Sequence, residues 1–212
     1  MYGTVESPST EVITKANYQW YLDVWGLAQV TSIGRNLYIL VGVDAGTAKK
    51  LVELMKNHTA ETIIKILDAL KTKAEVQTEK KLKWVRTDNA PEWRSALMRE
   101  WSTKHGIKHE FTAPYTSPSN GVAEHGIGVL LEGTRAALFN SGLPPAWWGH
   151  AMMSVAYVQN LFPNSSGHIP EELWTGQCQN ISHLGFVNIP EKSGKKKLDT
   201  RGFKAQMVGY MG

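Results

Sequence analysis

The chain has 212 residues and a single cysteine, Cys178. One thiol closes no internal disulfide and builds no cysteine-rich zinc site, so the fold must hold together by packing. Long apolar runs are missing too. No stretch approaches the ~20 residues that a bilayer crossing needs, and Met1 to Glu11 lack the basic-then-apolar layout of a secretory signal. The expectation is an intracellular protein without a membrane partner. No internal repeat is evident, and negative charge is not in excess: the formal net charge is +4. From Glu191 to Lys204, six basic residues face two acidic ones, which leaves the rest of the chain near neutrality. That lysine run, centred on Lys195, Lys196 and Lys197, reads equally as a phosphate-backbone contact or as a solvated loop. With 42% hydrophobic and 20% charged residues, the composition excludes collagen and wholesale disorder. The length suits one domain plus an appendage.

What is present begins with strands. Tyr18 to Val30 is rich in aromatic and β-branched residues, with Asp23 alone in its middle. An apolar run, YILVGVD, ends at Asp44, and Lys50 to Lys56 can form a third strand after a turn at Ala45-Gly46. Hairpin-length links make these three an antiparallel meander. From Thr59 the period changes. Ile63, Ile66, Leu67 and Leu70 repeat at helical spacing behind Thr59 as cap. Lys81 to Thr87 alternates as a half-buried strand and delivers Asp88, after which Asn89, Ala90 and Pro91 stop it. Ser95 to His105 reads as a helix closed by Gly106, and Lys108 to Thr112 as a short strand, giving the order βββαβαβ.

Ala113 to Gly121 is a loop by its prolines, serines and Asn-Gly. It feeds a helix from Val122 to Asn140, with Val129, Leu130, Ala137 and Leu138 as the apolar stripe and Glu124 in the first turn. Pro144 and Pro145 open one more helix, whose face holds Trp148, Ala151, Met152, Val155 and Ala156. Ile169 to Gly176 is a helical turn, and His183 to Gly212 reads as a small β unit around the basic run. The expected division is a core over 14–165 and an extension over 166–212. Because the chain stops straight after an apolar run, it is expected to be a piece of something longer.

Three acids sit where elements meet: Asp23 in the first strand, Asp88 after the fourth, Glu124 opening a helix. A mixed sheet with the first and fourth strands side by side would bring Asp23 to Asp88, and a helix packed across them could aim Glu124 at the same point. Like charges so close raise one another's pKa, and divalent cations relieve them. Magnesium suits such an all-oxygen set. Two ions about 3.5–4 Å apart stabilise the attacking and leaving oxygens of an in-line displacement at phosphorus, so the reaction class is phosphodiester transfer. Taken singly, Asp88 can simply end a strand and Glu124 can be favoured by the helix dipole. Asp23 fits no such reading, since a lone acid in an apolar strand is costly unless paired.

DVWG at Asp23–Gly26, TDNAPEW at Thr87–Trp93, GIKHEFTAPYTSPSNGVAE at Gly106–Glu124 and WWGHA at Trp147–Ala151 together resemble the integrase core of copia-type retrotransposon polyproteins. So do PEELWTG at Pro170–Gly176 and the FKAQMVGY stretch near the end. The Asp88-to-Glu124 interval matches the D,D,35-E arrangement of retroviral integrases. The resemblance implies an α/β, RNase H-like fold: a five-stranded mixed sheet, three antiparallel strands first, flanked by helices and followed by the small C-terminal β appendage. It implies Asp23, Asp88 and Glu124 as the catalytic, metal-binding triad, holding two Mg²⁺ or Mn²⁺ ions, and no zinc in this chain. It further implies 3′-end processing and strand transfer into double-stranded DNA in the nucleus, by a homo-oligomer made beside reverse transcriptase. Asn120 and Lys195, Lys196 and Lys197 are the nucleic-acid contacts so assigned. Asp44 and Glu92 fall outside the triad; Asp44 reads as structural and Glu92 as a brace of the following helix.

The chain also departs from the family pattern. His125, Ile127 and Gly128 stand where basic and amide side chains are usual, Gly126 and Gly133 interrupt the same helix, and Pro91 replaces a small residue near Asp88. These departures motivate the alternative of an integrase remnant that only binds nucleic acid or a partner.

Overall fold

The computed structural model describes residues 15–112 and 121–179. The expected C-terminal β unit, Asn120 and Lys195 to Lys197 lie outside the described residues.

Among the described residues one mixed sheet has five strands: β1 (Gln19–Trp25), β2 (Tyr38–Asp44), β3 (Lys50–Met55), β4 (Trp84–Thr87) and β5 (Lys108–Phe111). Their order across the sheet is β3-β2-β1-β4-β5. The first three pair antiparallel, and β4 joins β1 in parallel, as does β5 with β4. The helices are α1 (Ala60–Thr78), α2 (Ala96–His105), α3 (Gly121–Ser141), α4 (Trp148–Asn160) and α5 (Pro170–Thr175). Element order and sheet pairing therefore follow the sequence reading. Two strands are shorter than expected. β1 ends at Trp25 because the chain turns back toward β2, with the Ala28 amide donating to the Leu37 carbonyl at 2.8 Å. β4 starts late because the Leu82 amide donates to the Glu75 carboxylate instead of to a strand.

Side chains alternate along β1 and build a core on each face of the sheet. Trp20 and Leu22 point to one core, shared with Ile63 and Leu67 of α1 and Met98 and Trp101 of α2. Tyr21 and Trp25 border the other, where Ile127 and Leu130 of α3 and Trp148 and Met152 of α4 pack on Ile39, Val41 and Val43 of β2. The helix ends are set by the expected residues. Thr59 caps α1 by accepting from the Thr62 amide, Ser95 caps α2 by accepting from Met98, and Gly106 closes α2 in the left-handed region.

α5 belongs to the first core. Trp174 is buried there, its indole donating to the Gln77 side chain at 3.1 Å. The Lys49 ammonium meets Glu171 at 2.5 Å and sits 5.0 Å from the centre of the Trp174 ring. This helical turn, assigned from sequence to the extension, thus packs on the core.

The buried stripe of α3 shares Leu130 with the expected one, and Leu138 packs against the same core. It otherwise runs through Ala123, Gly126, Ile127 and Thr134, so small residues take several contact positions. A Cβ on Gly126 would lie 2.9 Å from Val43 Cγ2, and one on Gly133 would lie 2.6 Å from Val155 Cγ1 of α4. The two glycines let the helix lie close to β2 and α4. Gly128, by contrast, faces open space. Gly133→Ala is therefore expected to destabilise by about 1–3 kcal/mol through overpacking against a stiff β-branched neighbour. Gly128→Ala is expected to stabilise by about 0.5–1 kcal/mol. Urea unfolding of both variants checks the opposite signs.

Candidate active site

Asp23 reaches its place through the β1 register. It is paired with Val41 and lies between Tyr21 and Trp25 along the strand, so its side chain takes the face that α3 and α4 cover. In the parallel pair, Gln19, Trp20 and Tyr21 stand opposite Trp84, Val85 and Arg86. The same stagger carried two residues onward sets Asp88 abreast of Asp23, on neighbouring strands that run about 4.8 Å apart. Glu124 arrives from the other layer. It is in the first turn of α3, next to fully buried Ala123, and α3 packs on β1 and β2. The register thus sets Asp88 beside Asp23, and Glu124 comes within electrostatic reach of Asp23 from the first turn of α3.

The electrostatics of Asp23 report the same neighbourhood. Burial pushes its carboxyl up to about 6, opposed by the hydrogen bond it accepts from the Val24 amide at 2.8 Å. Asp88, Glu124 and Glu92 then push it further in the same direction, as nearby negative charges. Four carboxylates are thus within electrostatic reach of one point. Among the described residues they do not stand as a closed ligand shell, since no group of three or more His, Cys, Asp or Glu side chains is arranged to hold a metal ion. The donor set nonetheless fits a hard divalent cation. It is all oxygen and negatively charged, and the half-buried member is destabilised by its own charge and by like neighbours, a state that a bound cation reverses.

Asp88 is held by its turn. Its Oδ1 accepts from the Ala90 amide at 3.1 Å, the Asn89 side chain donates to the Thr112 carbonyl at 2.7 Å, and the Thr112 amide donates to Thr87 O at 2.9 Å. Fully buried Thr87 places its hydroxyl 2.9 Å from both the Asp88 carbonyl and His109 Nε2.

Asp44 is structural, as expected. It is buried, its neighbour Val43 borders the α3 side, and strand alternation turns Asp44 to the opposite face. Its oxygens accept from the Asn17 amide at 2.9 Å and from the Thr47 amide and hydroxyl at 2.9 and 2.8 Å. Burial raises it to about 6 as well, with those donors opposing. Ser95, not Glu92, caps α2, and Glu92 adds its charge to the field at Asp23.

Residues 13–117 match the integrase core domain family. The Pol polyprotein of transposon TNT 1-94 from Nicotiana tabacum is 32% identical over 198 residues, covering 90% of this chain and 15% of the polyprotein. The Pol polyprotein of transposon RE2 from Arabidopsis thaliana is 25% identical, covering 96% of this chain and 14% of its own length. The chain thus spans about one seventh of these relatives. A chain of the simian T-cell lymphotropic virus intasome, solved with the PP2A regulatory subunit B56 gamma, superposes with a TM-score of 0.64 at 18% identity, covering 88% of this chain and 63% of its own. The HTLV-2 integrase catalytic core domain in complex with magnesium gives 0.56 at 21%, covering 75% of this chain and 97% of its own. At such identities the superpositions speak for the fold, which is the RNase H-like α/β architecture of integrase cores. Family match, relatives and fold agree: the chain belongs to the integrase core domain family and is a relative of the retrotransposon Pol polyproteins.

Proposed function

We propose that this chain is the catalytic core of a retrotransposon integrase, an enzyme that trims the 3′ ends of the element's DNA and joins them to target DNA. The observation that carries the reading is the β1–β4 register, which brings Asp23 alongside Asp88 on the face where α3 presents Glu124. These three side chains would hold two Mg²⁺ or Mn²⁺ ions. Bound there, such a pair activates water or a 3′-hydroxyl and stabilises the leaving oxygen of the phosphodiester. The chain's own contribution is placement. β1 carries Asp23, the turn after β4 holds Asp88 through the Ala90 amide, and the first turn of α3 carries Glu124.

In the division proposed, residues 14–165 carry the reaction. The segment from 166 onward, which includes α5, would bring Lys195, Lys196 and Lys197 to double-stranded DNA, with Asn120 as a further contact. The enzyme would act as a homo-oligomer in the nucleus, released from a polyprotein that also carries reverse transcriptase. The relatives' Pol character supports that context. A remnant limited to binding loses part of its motivation, because Gly126 and Gly133 are packing positions rather than marks of decay.

Strand transfer of a donor-end oligonucleotide is expected to require Mg²⁺ or Mn²⁺ and to fall at least about a hundredfold in Asp88→Asn, more than the loss of a group that merely supports a ligand. Equal rates for the two proteins would contradict the proposal. Stability offers a second check. An acid raised in the fold contributes stability that is full below its ordinary value of 3.8 and lost as pH climbs to about 6. Asp44 acts in the same window with the same sign, so the comparison must be with Asp23→Asn. Without metal, the wild-type Tm is expected to fall more steeply between pH 4 and 6 than that of Asp23→Asn, and Mg²⁺ at pH 7 to restore the wild type alone. Parallel curves would remove Asp23 from the acid group.

A further inference from the structure

We infer that His109 is a positioning residue for Asp88, acting through the hydroxyl of Thr87. The inference rests on the proposed function in taking Asp88 as a metal ligand. Its geometry, though, is local to the β4–β5 edge.

Thr87 has one hydroxyl proton and no exposure to solvent. With that proton donated to the Asp88 carbonyl at 2.9 Å, the contact of Oγ1 with His109 Nε2, also 2.9 Å, is closed by a proton on the ring nitrogen. His109 therefore enters as the donor, in its Nε2–H tautomer. Burial pushes the imidazole down to about 4, so the ring is neutral near pH 7. The ring itself is braced by Phe111, with centroids 4.3 Å apart. A hydrogen-bonded line thus runs from β5 through His109 and Thr87 to the carbonyl of Asp88.

That carbonyl matters because it sets the plane of the peptide between Asp88 and Asn89. One peptide further on, the Ala90 amide closes on Asp88 Oδ1. Rotating the first plane would carry the amide off the carboxylate and re-aim it. The strand ladder is made by backbone groups, Thr87 opposite Phe111 and Val85 opposite His109, and owes nothing to the imidazole. What the ring adds is direction at position 88, the kind of outer-layer support whose loss typically costs about 10–100-fold in metal affinity.

The test uses the full chain and four variants: His109→Ala and Thr87→Val break the line, while His109→Gln and Thr87→Ser keep a donor or hydroxyl in place. Two readouts are taken beside urea stability: amide hydrogen exchange at Ala90 without metal, and Mg²⁺ affinity by titration calorimetry. The breaking variants are expected to speed exchange at Ala90 and to weaken Mg²⁺ binding about 10–100-fold, while the conservative ones stay near wild type. Unchanged Ala90 exchange and unchanged affinity in His109→Ala would overturn the inference. So would His109→Gln losing both in step with global stability, the mark of a purely structural ring. Should His109→Ala not fold, the Thr87 pair decides by the same criteria. If the wild type takes up no Mg²⁺, the metal reading of the site fails, and the exchange at Ala90 alone decides the role of His109.

Discussion

The parallel pairing of β1 with β4 is the constraint on which the rest depends. Asp23 and Asp88 are 65 residues apart in sequence, and only this pairing makes them neighbours. β2, β3 and α1 lie between the two strands in the chain, with β2 and β3 on the far side of β1 and α1 over one face of the sheet. The sheet then has a buried face under α1 and α2 and another under α3 and α4, and the acids stand on the second, where α3 begins. Displacing β4 by one residue would turn Asp88 to the other face.

Two aspartates in this protein are raised to the same value by the same cause, yet their surroundings give them different work. Asp44 is buried with donors from Asn17, Gly46 and Thr47 aimed at its oxygens, so its cost is offset within the chain and its role is to tie residues 17 and 47 to the end of β2. Asp23 accepts one backbone hydrogen bond, and the strongest of its charged neighbours are all carboxylates. Burial separates neither residue from the other; the number of donors and the sign of the neighbouring charge do.

Periodicity was enough to read β2, α1 and α2 from sequence, because burial on one face leaves a regular apolar signature and the caps Thr59 and Ser95 mark the starts. Asp23 was legible for a related reason: a charge breaks an otherwise apolar strand. The stripe of α3 was legible at Leu130 and Leu138 but not at Gly126 and Thr134, because glycine and threonine carry no apolar weight although both are buried. The anchoring of α5 by Lys49 and Glu171 joins residues 122 apart and leaves no local pattern. The charge that Glu92 adds near Asp23 depends on how the turn after β4 folds and leaves no local pattern. The line from His109 to Asp88 was hidden for the same reason, since it exists only across the β4–β5 register.

The central claim is that Asp23, Asp88 and Glu124 gather to hold divalent cations. Anomalous diffraction from crystals soaked in Mn²⁺ tests it most directly. The account predicts manganese density bonded to oxygens of Asp23 and Asp88, with Glu124 completing the site when the second ion is present. Manganese bound elsewhere on the protein, with these carboxylates uncoordinated, would contradict it.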